Sequence, residues 1–429
     1  MVTYIPIIIA FTLLLIGVPV YISLIGAVFV YFAFITSTMP LTMIVQRMIS
    51  SNMSYTLLAV PYFILVGVIM NYSGITKRVM GFCDSLLGHK VGGLAQVNVL
   101  LSTINGGICG SGAADAAMQC KILVPEMTKR GYPIAFSAVV TAASGLIAPI
   151  IPPGVALILY AVITENSIGR MFLAGFIPGL LMCIALMLLV SFISHRKNYL
   201  PSRDHKAPLK EVLIALRHSV WALLVPLIVI VGLRGGFFTV TEGATVVIAL
   251  CFLVGLFLYK ELALKDIPAV FKEAFRSTGS IMLMILSAIA FGLYLSWARI
   301  PQNVTVWMLT FTDSPIVFLL MANIVLLVFG MFLDGTALLM IMTPLLYPVA
   351  QSFSIDPIQF GIIVIVNCAI GSLTPPLGGL MYVACNITKV SILDFVRHVW
   401  PFIIVLLIVL IIIMVFAPIS TFLPNLVYG

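Results

Sequence analysis

The sequence predicts an all-α polytopic membrane protein made of two copies of one unit in inverted orientation, each with a re-entrant hairpin and a broken helix. Three observations support this fold class. Of 429 residues, 62% are hydrophobic and 8% are charged, whereas soluble domains carry roughly 25% charged residues. The two halves of the chain resemble each other. Glycine and proline interrupt apolar runs that are otherwise long enough to span a bilayer, about 20 residues.

The composition excludes several functional classes. A soluble enzyme, a disordered protein and a nucleic-acid binder are excluded, because so few charges cannot keep this much apolar surface in water, even with a formal net charge of +8. The apolar runs are continuous rather than alternating, which excludes a transmembrane β-barrel. The start of the chain has no basic segment and no cleavage site, so it is not expected to be a secretory signal. The seven cysteines include no CxxC pair, which predicts neither a disulfide nor a metal cluster.

The basic residues predict the orientation, because cytoplasmic loops of membrane proteins are enriched in Lys and Arg. The densest basic cluster lies in residues 195–218, near mid-chain, and is expected to be a cytoplasmic linker. In this topology four of the 22 Lys and Arg residues fall on the other side: Arg47, Arg170, Arg234 and Arg299. Both termini are then on the non-cytoplasmic face.

Internal self-similarity divides the chain into repeat 1, residues 1–194, and repeat 2, residues 219–429. A shift of 225 residues aligns Gly67 with Gly292, Ile75 with Ile300, Asn98 with Asn323 and Gly110 with Gly335. A shift of 223 residues aligns Pro125 with Pro348, Pro152-Pro153 with Pro375-Pro376, and Pro178 with Pro401. Since repeat 1 begins outside and repeat 2 inside, the duplication is expected to be inverted, as in many secondary transporters.

Each repeat has two interrupted apolar segments. The first has a glycine-rich middle, typical of a re-entrant hairpin, at 82–129 and 314–352. The second is a spanning helix that tandem prolines break, because proline lacks a backbone donor and collides with the preceding turn, at 133–164 and 357–387. Unwound backbone at membrane depth persists only where it is buried in protein or lines a wet cavity. We therefore expect the hairpin tip and the helix break of each repeat to meet near the middle of the membrane.

We expect each meeting point to bind Na+. Hard cations prefer oxygen ligands, and the interruptions supply hydroxyl and carboxylate groups at Ser111, Ser144, Thr336, Thr374, Asp115 and Asp334. An ionisable residue inside a membrane is a functional candidate by default. Alternatives remain open: either carboxylate could cap a helix or accept a buried hydrogen bond, and the hydroxyls of Ser111 and Thr336 could bond to their own helices.

Three further features are predicted. Arg299, after a spanning segment, either attracts an anionic substrate or extends outward at the membrane edge. Asn98 and Asn323 are expected to hold the hairpins to their neighbours. The amphipathic segments 39–54 and 260–278 are expected to be interfacial arm helices.

Taken together, these segments resemble the large membrane subunit of TRAP (tripartite ATP-independent periplasmic) transporters. The resemblance rests on the segments 105–115 and 121–127, Ile151-Pro152-Pro153-Gly154, Asp334-Gly335-Thr336, Thr343-Pro344 and 373–379. It covers essentially the whole chain, and the overall similarity leans toward the sialic-acid branch.

The resemblance implies a Na+-coupled, elevator-type symporter of the bacterial inner membrane, and not an enzyme. It implies two partners: a small four-helix membrane subunit and a periplasmic binding protein. The binding protein would deliver an organic acid such as sialic acid or a C4-dicarboxylate.

The resemblance also implies the site residues. Sodium site 1 would use Gly107, Cys109, Ser111, Asp115, Ser144, Gly145, Pro149 and Pro152. Sodium site 2 would use Asp334, Gly335, Thr336, Gly371, Thr374 and Pro375. The substrate would lie between them, near Ser111, Pro153, Thr336, Pro376 and Arg299.

Two other functions remain as alternatives. One is a stand-alone ion-coupled anion transporter of similar fold, working without a binding protein. The other is an intramembrane aspartyl protease, which requires the carboxylates of Asp115 and Asp334 to face each other.

Overall fold

The computed structural model describes residues 2–36, 39–53, 55–203, 205–235 and 237–429, and the regular secondary structure of these residues is helical throughout. Repeat 1 contributes α1 (Ile5–Leu15), α2 (Val20–Val30), α3 (Leu41–Asn52), α4 (Ala59–Tyr72), α5 (Ile75–Leu87), α6 (Gly93–Cys109), α7 (Gly112–Lys129), α8 (Ile134–Gly145), α9 (Val155–Ile163) and α10 (Ile168–Lys197). Repeat 2 contributes α11 (Leu209–Arg234), α12 (Val240–Leu253), α13 (Ile267–Trp297), α14 (Ile300–Leu309), α15 (Pro315–Gly330), α16 (Gly335–Ser352), α17 (Pro357–Leu373), α18 (Gly379–Thr388), α19 (Ile392–Val415) and α20 (Pro418–Tyr428).

Within the described residues, four segments are long and apolar enough to cross a membrane alone: α10, α19, Val240–Leu258 and Leu264–Trp297. The pair α4 and α5 forms a further candidate span, bent by 70°. The hairpin helices and the segments of the broken helices are shorter than a full span. The predicted all-α class with several apolar membrane helices is therefore confirmed.

The predicted boundaries need three corrections. Hairpin 1 begins at Gly93, since 82–87 belongs to α5. The arm 260–278 is not a separate helix, because α13 begins within it at Ile267 and continues without interruption into the span that follows. Within the described part of the linker 195–218, only 198–203 and 205–208 are non-helical, because α10 and α11 extend into both of its ends.

Contacts between the two halves are reciprocal. Helix α7 packs against α18, and its counterpart α16 packs against α9. Likewise α8 packs against α19 and α17 against α10, while α4 contacts α12 and α13 contacts α2. Two copies related by an approximate twofold axis make paired contacts of this kind. The duplication found in the sequence is therefore also present in the packing.

Basic segments predicted to be cytoplasmic lie together at one end of the molecule. Arg203 in the linker forms ion pairs with Asp84 of α5, at 2.7 Å, and with Glu211 of α11. Hydrogen bonds from the guanidinium to Glu211 and Asp84 raise the pKa of Arg203. Arg130, after α7, donates to the carbonyl oxygen of Pro201 at 3.3 Å. The linker thus joins the base of hairpin 1 to α5 and α11.

Two segments predicted to lie on the non-cytoplasmic side form hydrogen bonds with the chain termini. Arg170 Nη2, at the start of α10, donates to the Tyr428 carbonyl oxygen at 3.2 Å near the C-terminus. Tyr294 Oη, near the end of α13, donates to the Thr3 carbonyl oxygen at 2.5 Å near the N-terminus. Each terminus is therefore tied to a segment predicted to be on its own side.

Buried asparagines hold each hairpin to its broken helix. Asn98 Nδ2 of α6 donates to Thr141 Oγ1 of α8 at 2.7 Å, and Ser144 Oγ donates to Asn98 Oδ1 at 2.9 Å. In the other half Asn367 Nδ2 of α17 donates to Asn323 Oδ1 of α15 at 2.5 Å. The prediction that Asn98 and Asn323 hold the hairpins to their neighbours is confirmed.

Replacing Asn98 should destabilise the protein. We expect Asn98→Ala to lower the free energy of unfolding by about 1–3 kcal/mol, because two buried hydroxyl groups lose a partner. Thermal unfolding in detergent measures the effect. Asn303→Ala, at an exposed position of α14, is the control and should change stability by less than about 0.5 kcal/mol. Equal melting temperatures for the two variants would contradict the assignment.

Candidate functional site

The tip of hairpin 1 lies against the break between α8 and α9. Gly110 adopts a left-handed conformation, with φ 58°, which favours glycine because it lacks a Cβ. Its carbonyl oxygen accepts a hydrogen bond from Val155 N at 3.2 Å. A Cβ on Gly112 would lie 2.7 Å from the carbonyl oxygen of Gly145. The backbones therefore touch, with no room for a side chain between them.

The second half repeats this contact. Leu377 N, in the break between α17 and α18, donates to the Met331 carbonyl oxygen of hairpin 2 at 3.1 Å. A Cβ on Gly371 would lie 2.7 Å from Gly330 Cα. Tip and break are therefore in backbone contact in both halves, and their depth in the membrane stays a prediction.

The two tips align with a shift of 223 residues, not 225. Gly112 lies against the Gly145 carbonyl, and Gly335 lies against the Cys368 carbonyl, where a Cβ would be 3.0 Å from the oxygen. The pairing of Gly110 with Gly335 was therefore wrong. Gly112 follows Asn98 by 14 positions, whereas Gly335 follows Asn323 by 12, so the sequence shift changes before α7 begins rather than after it.

This alignment gives the two tip carboxylates different roles. Asp334 caps α16: its Oδ1 accepts a hydrogen bond from Thr336 N at 3.0 Å, and its side chain is exposed. Ser111 occupies the matching position of α7, and its Oγ accepts from Ala114 N at 3.5 Å. Capping is thus one function of Asp334, as the alternative above proposed.

Asp115 lies one turn farther into its helix and is fully buried. Its carboxylate accepts hydrogen bonds from Ser102 Oγ at 2.6 Å, from Gln119 Nε2 at 2.8 Å and from Asn105 Nδ2 at 3.4 Å. No hydrogen bond joins it to Asp334 among the described residues, so the pairing required of an aspartyl protease is not formed.

One cavity of about 300 Å³ lies between the two tips. It is lined by the first residues of four helices, α7, α9, α16 and α18. Ser280 and Met284 of α13 form one wall. Among the described lining residues, Asp334 is the charged one, and there is no Lys or Arg. The positive ends of four helix dipoles therefore face a space that contains a single carboxylate.

The cavity gathers part of the predicted site. The predicted residues that line it are Ser111, Pro149, Asp334, Gly335 and Thr336. The predicted residues that do not line it are Gly107, Asp115, Ser144, Gly145, Pro152, Pro153, Gly371, Thr374, Pro375, Pro376 and Arg299. The side chain of Cys109 lies outside the described part of the chain.

Several of the residues outside the cavity have local partners. Thr374 Oγ1 donates to the Ile370 carbonyl oxygen at 2.8 Å. Ser144 Oγ lies 2.9 Å from the Val140 carbonyl oxygen as well as from Asn98. Arg299 sits in the turn before α14 in a left-handed conformation, φ 53°, and its side chain is exposed. Its position favours the outward-facing alternative over contact with a substrate between the tips.

The sequence reasoning missed several groups at the site. Ser280 and Ser372 line the cavity. Gln119 Oε1 and Asn367 Oδ1 are buried acceptors without a donor among the described residues. Asn367 and Ser372 are polar residues within an apolar run, which was the available signal for these two.

A duplicated helical protein whose two hairpin tips and two helix breaks surround one cavity has the form of a membrane transporter. Residues 7–419 match the family described as tripartite ATP-independent periplasmic transporter, DctM component. The chain therefore belongs to the family of TRAP transporter large permeases, which are transporters rather than enzymes.

Named relatives agree with this family. The chain is 38% identical over 419 residues to the sialic acid TRAP transporter large permease protein SiaM of Vibrio cholerae, covering 97% of each chain. It is 35% identical over 379 residues to the C4-dicarboxylate TRAP transporter large permease protein DctM of Pseudomonas aeruginosa, covering 88% of each. The fold is similar to that of the YdaH transporter of Alcanivorax borkumensis, with a TM-score of 0.59, 14% identity and 89% of each chain covered.

Adding a methyl group at the contact of tip and break should be damaging. We expect Gly112→Ala to lower the free energy of unfolding by about 1–3 kcal/mol, because the new Cβ would force two backbones apart. Transport by the reconstituted protein should fall with it. Gly279→Ala is the matched control: a Cβ there meets nothing within 4 Å, so stability should be unchanged or slightly higher. Similar losses from both substitutions would contradict the close contact. Melting temperature and uptake measure the two effects.

Proposed function

We propose that this chain is the large permease subunit of a Na+-coupled symporter that imports an organic acid across the bacterial inner membrane. A periplasmic binding protein delivers the acid, and a small four-helix membrane subunit completes the complex. The acid is sialic acid or a C4-dicarboxylate, because relatives that carry these names match most of the chain.

The observation that carries this proposal is the shared cavity between the tips. Helix N-termini bind anions through their free N–H groups and their dipoles. Four such ends converge on a space that no Lys or Arg lines among the described residues. A carboxylate can therefore be held there by backbone and hydroxyl donors such as Ser111 and Thr336. An acid bound in this way forms no tight ion pair with a basic side chain. The absence of such a pair favours its release on the other side of the membrane.

The sodium sites lie where each tip meets its break. Site 1 lies between residues 107–115 and 144–152, and site 2 between 334–336 and 371–375. Gln119 Oε1 and Asn367 Oδ1 support this assignment: each lies four positions from a site residue, Asp115 or Gly371, and is a buried oxygen without a hydrogen-bond donor among the described residues, so it can coordinate a cation. Carboxylate, amide and backbone oxygens are the ligands a hard cation prefers. Na+ bound there would offset the negative charge of Asp334 and draw tip and break together.

Transport follows an elevator mechanism. The hairpins and broken helices form the moving body, and α13 belongs to the stationary part. Support comes from the cavity, in which α13 supplies one wall while hairpins and broken helices supply the others. Sliding past α13 would carry the enclosed acid from one side to the other. The end that contains Arg203 is cytoplasmic, and both termini are periplasmic.

Removing the charge of Asp334 should weaken Na+ dependence. We expect Asp334→Asn to raise the half-saturating Na+ concentration for uptake roughly tenfold or more, since each 1.4 kcal/mol of lost binding is a factor of ten. Asparagine still caps a helix, so α16 should stay folded. Uptake into proteoliposomes at varied Na+ measures the effect.

Asp356→Asn is the matched control for this substitution. Asp356 also caps a helix, accepting hydrogen bonds from Ile358 N and Gln359 N at 2.9 Å, but it does not line the cavity. An unchanged Na+ response in Asp334→Asn, or an equal change in Asp356→Asn, would contradict the proposed site. Uptake that persists without the periplasmic binding protein would favour a stand-alone transporter instead.

A further inference from the structure

A second and larger cavity lies beside the start of α10, the 30-residue helix whose other end leads into the linker with Arg203. Its volume is about 560 Å³, and we call it the outer vestibule. It lies between α9 and α16 on one side and α3 and α13 on the other. Its polar lining comes from Arg47, Ser51, Thr164, Glu165, Asn166, Ser296, Thr343 and Tyr347.

The outer vestibule is stacked on the cavity between the tips. Met284 lines the tip cavity and Ala288 lines the vestibule, one helical turn apart on α13. Leu339 and Thr343 have the same relation on α16. One turn of α-helix rises about 5.4 Å. A molecule leaving the vestibule along these two helices would therefore arrive between the tips.

The vestibule contains groups that suit a hydroxylated carboxylic acid. Arg47 is exposed and takes part in none of the ion pairs found among the described residues. A guanidinium binds a carboxylate with two parallel hydrogen bonds. Thr343 Oγ1 is buried and has no hydrogen-bond partner among the residues that the structure describes. Asn166 Nδ2 and Tyr347 Oη lie 3.2 Å apart and can serve the hydroxyl groups of a ligand.

A carboxylate, whose charge is opposite to that of Arg47, lines the same cavity. Glu165, in the loop after α9, is exposed and adopts a left-handed conformation with φ 56°. Its negative charge would repel an organic acid, while Arg47 would attract it. Removing the charge of Arg47 should therefore raise KM, and removing the charge of Glu165 should lower it. A merely structural role for the two residues would not produce changes of opposite sign.

We propose that the outer vestibule is a first binding site for the organic acid, where Arg47 holds the carboxylate before the acid passes to the cavity between the tips. This inference rests on the proposed function, because it assumes that the transported molecule is an organic acid. It assigns a role to Arg47 and Thr343, which lie outside the tip and break segments.

The test is uptake of radiolabelled sialic acid, and in parallel succinate, by the complete complex in proteoliposomes at saturating Na+. We expect Arg47→Gln to raise KM roughly tenfold or more, with partial recovery in Arg47→Lys. Glu165→Gln should lower KM, and Thr343→Val should raise it. The final accumulation should stay at the wild-type level in every variant, because the Na+ gradient sets it.

Arg299→Gln is the control, since Arg299 is exposed at the same end and lines neither cavity. A KM for Arg47→Gln equal to that of wild type, or an equal rise in Arg299→Gln, would overturn the vestibule site. A KM for Glu165→Gln that rises instead of falling would also overturn it. Wild-type complex that takes up neither acid would instead contradict the proposed function.

Discussion

Backbone that leaves a helix inside a membrane must find hydrogen-bond partners in the protein, because the bilayer core offers none. The close contact of tip and break meets this constraint in both halves. Val155 N bonds to the Gly110 carbonyl, and Leu377 N bonds to the Met331 carbonyl. Glycines let the chains approach, and the bonds of Asn98 add a second connection deeper in the hairpin. A hairpin and its broken helix consequently behave as one structural unit, and the cavity exists because two such units face each other.

The two units have the same backbone plan but different electrostatics. The capping position is a neutral serine in one tip and an exposed aspartate in the other. The buried carboxylate of Asp115 is surrounded by donors from Ser102, Asn105 and Gln119, and its counterpart 223 residues on is Leu338. The duplication therefore preserved geometry while charge was placed independently in each half. Two sites built on these tips would not have equal affinities.

Features that depend on the backbone conformation of a short segment were predictable from the sequence. Features that depend on tertiary packing were not. Pro152-Pro153 and Pro375-Pro376 mark the breaks, since two adjacent prolines cannot continue a helix. The turns that join α6 to α7 and α15 to α16 could be predicted from glycines between short apolar runs. The length of α13 was missed, because a change from polar to apolar composition does not by itself end a helix. The surroundings of Asp115 were missed, because Ser102 and Asn105 come near it only through the hairpin turn. Ser280 reaches the cavity through tertiary packing, which no local pattern records.

Reciprocal packing has a consequence for the history of the molecule. Each hairpin is covered by the broken helix of the other half, α7 by α18 and α16 by α9. A chain of half the length would leave these surfaces without a partner. An ancestral single-unit protein would therefore have needed a second copy of itself to cover them. Fusion of two such genes would place the junction at the basic linker that contains Arg203.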